Sequence, residues 1–341
     1  MAIANHASLS DSKNKKVLQQ ELTAVGLKPQ DAVRILPDWW EEAINHPSGL
    51  FEVRGFVAKH FGLEIGPDGR LRQRLMQQAC FKTRAGTSIA EIASARAVAT
   101  AVARLVASVT TPLWTGSLPS AMALRTTACA HGSTPWVGLE DLLDVCWAHG
   151  VPVAYMPSLP VAKPKMDGMV TFCCGRPVIL VTRKMSSPAW MLFVLAHEMG
   201  HIAEGHLDLC DGGSLVDEKV SEDDGADEQE KAANAYALTV LTGGQNPSIR
   251  LTRLVDAASL AASALAYGRD KGIDPGHVIL NAVKNTKING KEPWPLGSAA
   301  LKYIGEDTPT EMVCREALRR NIDVDALSDD SLEFLERIGL L

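Results

Sequence analysis

The residues with the clearest chemical potential are two histidines and a glutamate within five consecutive positions, His197-Glu198-Met199-Gly200-His201. On an α-helix, residues i and i+4 lie about 40° apart around the axis and one turn apart along it, so both imidazoles can reach one metal ion. Glu198 lies beside the first histidine and can hydrogen-bond a metal-bound water instead of binding the metal. This is the arrangement with which a metallopeptidase generates hydroxide at neutral pH.

A catalytic zinc ion takes three protein ligands and leaves one position for water, so the motif needs a third ligand. One extension of the motif would place a glycine and then a histidine downstream of His201. Glu204 and Leu207 occupy those two positions, which excludes this class of metallopeptidase.

The other source of a ligand is a glutamate on a following helix. Glu222 is followed closely by Gly225, which weakens a helix, whereas Glu230 begins a strongly helical segment. Asn234 lies one turn after Glu230 and can orient a ligand histidine by a hydrogen bond. We therefore choose Glu230 as the third zinc ligand, with Asn234 supporting the site.

The sequence before the motif predicts the elements that position it. Ser187-Pro188 begins a helix, and the apolar residues that follow it predict that this helix is buried. The preceding segments alternate in type: residues 139–149 predict a helix, 151–156 a strand, and 169–173 and 178–182 two strands around the turn Gly175-Arg176-Pro177.

The paired motifs resemble the ImmA/IrrE family of zinc metallopeptidases, whose pattern is H-E-x-G-H-x-x-x-G-H followed by E-x-x-A-N-x-F-A. Residues 197–206 and 230–237 correspond to it, with Tyr236 where the family more often has Phe. The resemblance covers about 138–245. It implies a zincin-like α+β domain in a mostly helical chain, with a small antiparallel sheet and active-site helices. It also implies a Zn²⁺ cofactor held by His197, His201 and Glu230, and Glu198 as general base.

Two further residues match positions of that pattern without a role that spacing assigns. His206 follows the motif by five residues, and Tyr236 follows Asn234 by two. Each is a candidate either for contact with substrate or for a structural role.

The N-terminal region predicts four short helices between residues 15 and 66 and resembles helix-turn-helix domains of the XRE type. The resemblance rests on Gly26-Leu27-Lys28-Pro29-Gln30 and on the segment 50–65. The candidate recognition helix, Asp38 to Ala43, carries acidic and indole side chains where groove-reading helices usually carry Arg, Asn or Gln. A helical domain for packing or protein binding is the alternative. If DNA is bound, the candidate phosphate contacts are Arg70, Arg72, Arg74 and Arg84.

These patterns predict four regions. Residues 1–66 form the helical N-terminal domain, and 67–135 form a basic helical segment that ends in a Pro-, Ser- and Gly-rich linker after residue 112. Residues 136–248 form the peptidase domain, and 249–341 a helical C-terminal region.

The formal net charge of −6 is a local feature. Eight carboxylates and one lysine lie between Asp217 and Glu230, which gives that stretch −7, while residues 67–130 carry +6. The acidic stretch is interpreted as a solvated loop, with a flap over the cleft or a docking site for a basic partner as alternatives. The bulk charge therefore does not exclude nucleic acid as a partner.

Composition also bears on location. The polar N-terminus lacks the apolar core of a signal peptide, and the longest uncharged run, 105–124, contains two prolines that disfavour a membrane helix. Seven cysteines without C-x-x-C spacing suggest neither a disulfide framework nor a cysteine zinc site. We expect a cytoplasmic protein without membrane association.

We accordingly expect a zinc-dependent endopeptidase that hydrolyses a peptide bond in a regulatory protein, such as a repressor of a stress response or a mobile element; the choice of target comes from the resemblance. One alternative is a DNA-binding transcriptional regulator whose metal domain is sensory or structural. A component of a toxin-antitoxin pair is the other alternative.

Overall fold

The chain folds as an α+β protein that is mostly helical, as the sequence predicts. The computed structural model describes residues 3–74, 81–83, 89–161, 167–184, 187–207, 214–217, 228–244, 248–253, 255–304 and 309–341. Within these ranges, no helix combines the length and the apolar character that crossing a bilayer requires.

The N-terminal helical unit spans residues 3–73. Its elements are α1 (Ile3–Ala24), α2 (Pro29–Val33), α3 (Trp40–Ala43), α4 (Pro47–His60) and the antiparallel pair β1 (Leu63–Ile65) and β2 (Leu71–Gln73). Four helices are present as predicted, but α1 is longer than expected, with 22 residues that begin at Ile3 and not near residue 15. The apolar positions on α1 and α4 point inward: Leu18, Leu22, Val53 and Val57 are all fully buried. Gly26 ends the first helical run with a φ of +80°, which a residue with a Cβ rarely adopts.

The central part of the chain builds a sheet and the helices that cover it. Its elements are β3 (Phe81–Thr83), α5 (Ile89–Val109), α6 (Ala121–His131), α7 (Leu139–Ala148), β4 (Val153–Tyr155), β5 (Gly168–Cys173), β6 (Arg176–Val181), α8 (Pro188–Ala203), β7 (Ser214–Asp217) and α9 (Glu228–Thr242). The strands lie in the order β3-β7-β5-β6-β4. The buried helix α5 coincides with the Ala- and Val-rich stretch of the sequence.

The sheet is mixed, so the expectation of a small antiparallel sheet is wrong in part. β5 pairs antiparallel with both β6 and β7, but β4 runs parallel to β6 and β3 runs parallel to β7. Parallel neighbours need long connections, and the chain between the strands of each pair supplies them. Strand direction depends on those connections, which the local sequence pattern does not reveal.

The turn between β5 and β6 lies one residue earlier than predicted. Cys173 pairs with Arg176, so the two turn residues are Cys174 and Gly175, with φ of 50° and 75°. Positive φ at both central residues defines the tight hairpin turn whose twist matches that of the strands. Arg176 and Pro177 therefore belong to β6 and not to the turn.

The segment 112–135, for which the sequence predicts a linker, contains α6. Ser120 caps the helix by accepting a hydrogen bond from the backbone N–H of Ala123, and Leu124 and Ala128 bury its inner face. The Ser, Thr, Gly and Pro residues that suggest a linker lie mostly on either side of this helix, so composition averaged over the whole segment conceals it.

The C-terminal region is helical, as expected. It consists of α10 (Ala257–Lys271), α11 (Pro275–Lys284), α12 (Trp294–Leu301), α13 (Thr310–Asn321), a short 3-10 helix (Val324–Ala326) and α14 (Asp329–Arg337). Helices α10 to α12 form a small apolar cluster of their own, to which Ala189 of α8 contributes.

The main apolar core crosses all three boundaries between the four expected regions. It extends from Leu18 in α1 through the sheet and α8 to Phe334 in α14. The N-terminal helical unit and the last helices therefore share one core with the central sheet.

Candidate metal centre

Helix α8 holds the first part of the site in an apolar environment. Ser187 caps the helix by accepting a hydrogen bond from the backbone N–H of Ala189, and Pro188 fills the first turn, where no backbone donor is needed. His197 and Glu198 are fully buried on this helix. Burial of polar groups in such surroundings is costly unless each finds a partner of complementary charge or hydrogen-bonding character.

Helix α9 brings the third polar group to the same place. A Cβ added to Gly200 would lie 2.9 Å from the Cα of Ala233, so the absence of a side chain at 200 lets α8 and α9 approach closely. This contact places Glu230, in the first turn of α9, opposite the two histidines.

The nitrogen and oxygen atoms of these three residues converge on one point. The Nε2 atoms of His197 and His201 are 3.1 Å apart. Glu230 approaches them with one carboxylate oxygen 3.7 Å from Nε2 of His197 and the other 3.4 Å from Nε2 of His201. One ligand atom from each residue lies within 4.8 Å of the others.

Two neighbouring side chains determine which nitrogen of each histidine faces that point. The Nδ1–H of His197 donates to Oδ1 of Asn234 at 2.9 Å, because an amide oxygen can only accept. The Nδ1 of His201 lies 3.0 Å from Nδ1 of His206. When His201 donates this bond, the Nε2 atoms of both histidines present lone pairs to the shared point.

The consequence is a concentration of electron pairs in a buried pocket. With both histidines neutral and their Nε2 lone pairs directed at this point, the two lone pairs and the carboxylate repel one another, and a cation between them turns that repulsion into attraction. The donor set of two nitrogens and one oxygen is also one that a transition metal accepts. The buried group His197, His201 and Glu230 could therefore hold a metal ion.

Sequence reasoning did not identify Gly168, which lies against the motif glutamate. A Cβ at Gly168, the first residue of β5, would come within 1.8 Å of Oε1 of Glu198. The carboxylate therefore occupies the space that any other residue at 168 would fill. The sequence offers no signal for this contact beyond the presence of a glycine where a strand begins.

His206 and Tyr236, the two residues without an assigned role, lie in different surroundings. His206 contacts His201, as described above, and thereby supports the ligand group. Tyr236 is buried, and its hydroxyl donates to the carbonyl oxygen of Pro119 at 2.8 Å. Burial raises the pKa of its phenol above the ordinary value, so the hydroxyl stays protonated and remains a hydrogen-bond donor. The Tyr236 hydroxyl fastens α9 to the segment before α6.

Arg125 of α6 is a second residue that sequence reasoning missed. Its guanidinium donates to the carbonyl oxygens of Val240 and Leu241 at the end of α9, both at 3.0 Å, and to that of Gly272 at 2.6 Å. Val240 and Leu241 lie in the last turn of α9, where carbonyl oxygens lack the usual intrahelical donor, and a cation here also matches the negative end of the α9 dipole. Arg125 thus holds α9 in position from the end opposite Glu230.

The candidate DNA-contacting residues lie apart from this site. Arg70 and Arg74 are exposed, and Arg72 pairs with Asp68 at 3.1 Å. Arg84 lies outside the described residues, as do Glu222 and the acidic stretch between Asp217 and Glu228.

The candidate recognition helix is short, and the residue Asp38 near its N-terminus contacts another helix. Helix α3 has four residues and buries Trp40. The carboxylate of Asp38, just before it, accepts a hydrogen bond from Arg337 of α14, and its backbone N–H donates to Glu333 at 3.2 Å. This end of α3 therefore faces another part of the same chain.

Comparisons of the chain with protein-family models, curated proteins and solved structures gave no match. The geometry of the metal centre and the motif pattern are accordingly the observations that bear on function.

Proposed function

We propose that this protein is a zinc-dependent endopeptidase of the ImmA/IrrE type, with a zincin-like central domain, that cleaves a peptide bond in a regulatory protein. The observation that carries the proposal is the convergence of the His197, His201 and Glu230 ligand atoms beside the buried carboxylate of Glu198. The choice of a regulatory protein as substrate rests on the motif resemblance.

Zinc suits this donor set, because three nitrogen and oxygen ligands leave a position for water, as catalytic zinc sites require. His197, His201 and Glu230 would hold the ion, with Asn234 and His206 orienting the two imidazoles through their Nδ1 atoms. When bound, zinc lowers the pKa of water and polarises the carbonyl of the scissile bond.

Glu198 supplies the proton transfers. Its carboxylate accepts a proton from the water that attacks the peptide carbonyl and then delivers that proton to the nitrogen of the leaving amine. The side chain is fully buried and packed against Gly168, so its position is restricted before substrate arrives. Such restriction lowers the cost of reaching the reactive geometry.

The decisive experiment compares Glu198→Gln with the parent protein on two measurements. Zinc content of the purified proteins should be equal, because Glu198 is not a ligand. Cleavage of a regulatory protein that the parent cleaves should fall at least about a hundredfold, the usual loss when general acid-base catalysis is removed.

Glu204→Gln is a matched control, because this exposed glutamate lies six residues further along the chain, directly after the last residue of α8. It should retain both zinc and cleavage. Persistent cleavage by Glu198→Gln would refute the mechanism, and a parent protein that binds no zinc would refute the assignment as a zinc peptidase.

The proposal does not extend to DNA binding. Helix α3 has only four residues, and Asp38, two positions before it, pairs with Arg337 of α14, so this region offers little surface to a groove. DNA binding and membership of a toxin-antitoxin pair remain predictions from the sequence.

A further inference from the structure

A cleft of about 600 Å³ lies where α2, the loop after β4, the outer ends of β5 and β6, and α14 meet. Lys28, Arg34, Arg183, Lys184 and Arg337 line it, together with Asp31 and Asp167. Five cations and two carboxylates give the lining a net charge of +3, although the whole chain carries −6. The cleft is therefore a local concentration of positive charge.

The charges in this cleft are only partly neutralised. Arg183 donates to Asp167 at 2.8 Å, and Arg337 pairs with Asp38 and Glu333. Lys28 and Lys184 are exposed, and neither pairs with a carboxylate of another described residue. These two lysines leave positive charge available to a ligand.

The cleft walls are apolar between the charged groups. Ile35, Leu159 and Ile338 contribute aliphatic surface, and Pro157 and Pro160 lie in the loop that separates α2 from the sheet. A sugar-phosphate backbone would leave such surface without a partner. A polypeptide that combines acidic and apolar side chains can use both the cations and the apolar walls.

The cleft also adjoins the metal centre. Asp167 lines the cleft, and the next residue, Gly168, touches the carboxylate of Glu198. Successive side chains of an extended chain point to opposite faces, so the Asp167 carboxylate faces the cleft while Glu198 lies buried on the other side of the adjoining backbone at Gly168. The cleft and the proposed general base are therefore separated by a single layer of backbone.

We propose that this cleft binds an acidic segment of the polypeptide substrate, through Asp or Glu side chains that pair with Lys28 and Lys184. The proposal rests on the proposed peptidase function, because that function makes the occupant a polypeptide. It adds a substrate class: proteins that carry a segment of acidic and apolar residues.

Peptide binding to the Glu198→Gln protein tests this proposal without any cleavage. Two fluorescently labelled peptides serve as probes, one alternating Glu with Leu and the other with each Glu replaced by Gln, and anisotropy reports the Kd at low and at high salt. The Glu peptide should bind more tightly, and salt should remove most of the difference because exposed charges are screened.

The double variant Lys28→Gln/Lys184→Gln should weaken binding of the Glu peptide about fivefold to tenfold, since two exposed ion pairs are lost. Its affinity for the Gln peptide should not change. The matched control is Lys287→Gln/Lys302→Gln, which removes two exposed lysines outside the cleft and should bind both peptides as the parent does.

Equal affinity for the two peptides, or equal losses in the two double variants, would overturn the proposal. So would tighter binding of a labelled DNA duplex that is lost in the Lys28→Gln/Lys184→Gln variant, because the cleft would then recognise phosphate. Failure of the peptidase function is distinguishable: it would appear as absence of zinc with the preference for the Glu peptide intact.

Discussion

Buried histidines occur both at the candidate metal centre and at the contact between α4 and α14, but their partners differ. His60 on α4 has a partner at each ring nitrogen: Nδ1 donates to the carbonyl oxygen of Phe56 at 2.9 Å, and Nε2 accepts from the hydroxyl of Ser331 at 3.2 Å. At the metal centre, the Nε2 atoms of His197 and His201 face each other and a carboxylate instead.

The surroundings of His60 reinforce the difference. Phe56 and Phe334 pack against its ring with centroid separations of 4.1 and 4.9 Å, so the imidazole acts as part of the core between the N-terminal helical unit and α14. Burial of a histidine is therefore weak evidence for function. Convergence of several electron-pair donors on one point is the stronger evidence, because neutral protein groups alone cannot stabilise it.

The largest expected effect is loss of zinc binding when a residue of the candidate metal centre is replaced, and replacement of His60 should not cause it. Glu230→Ala removes one of three ligands and should weaken zinc binding more than about a hundredfold, beyond the loss usual for groups that merely orient ligands. Glu228→Ala is the control, since this glutamate lies two residues earlier, is exposed and pairs with Lys231. Metal analysis after dialysis measures both. Unchanged zinc content in Glu230→Ala would show that another residue is the third ligand.

Gly168→Ala should separate catalysis from metal binding. The added Cβ would collide with Oε1 of Glu198 and displace the carboxylate, while the three ligands remain in place. We expect cleavage to fall about a hundredfold with zinc content preserved. Gly55→Ala, at a helical position with open space around it, should leave cleavage unchanged. Full activity of Gly168→Ala would show that Glu198 is not confined as described.

The stability contributed by the contact between α4 and α14 should depend on pH and should not depend on bound metal. Desolvation lowers the pKa of His60 from 6.5 to about 4, with a smaller lowering by Lys59, and the hydrogen bond to Phe56 and the charge of Asp330 oppose it. The neutral ring is favoured in the folded state, so its stabilising contribution is complete above pH 6.5 and is lost as the pH falls towards 4.

A shift of this size corresponds to a loss of about 2 to 3 kcal/mol in the free energy of unfolding between pH 7 and pH 4.5. Urea unfolding of the parent and of His60→Leu at both pH values measures it, because the titration of all other groups is common to the two proteins. If the free energy of unfolding depends on pH in the same way in both proteins, the lowered pKa of His60 is contradicted.

The smallest expected effect concerns the orientation of a ligand. Asn234→Ala removes the acceptor for the Nδ1–H of His197 and should weaken zinc binding about tenfold. Asn234→Asp retains an acceptor oxygen at the same place and should restore most of the affinity. A zinc titration against a competing chelator distinguishes the three proteins, and equal affinities would show that Asn234 does not orient His197.

The predictions from sequence that succeeded concern residues close together in the chain. Helices α4, α5 and α8 follow from apolar spacing and from the Ser187-Pro188 start signal, because helical structure depends on neighbours within a few turns. The predictions that failed, a linker over α6 and a uniformly antiparallel sheet, concern how distant segments combine. Local composition carries little information about such combinations.

Residue spacing alone is enough to predict that two histidines and a glutamate share one helical motif and that Glu230 and Asn234 lie one turn apart on another helix. Three contacts follow only from the folded structure: Gly200 lets those helices meet, His206 contacts His201, and Gly168 confines Glu198. The physical reason is distance along the chain: Gly168 and Glu198 are thirty residues apart, and the packing of β5 on α8 brings them into contact.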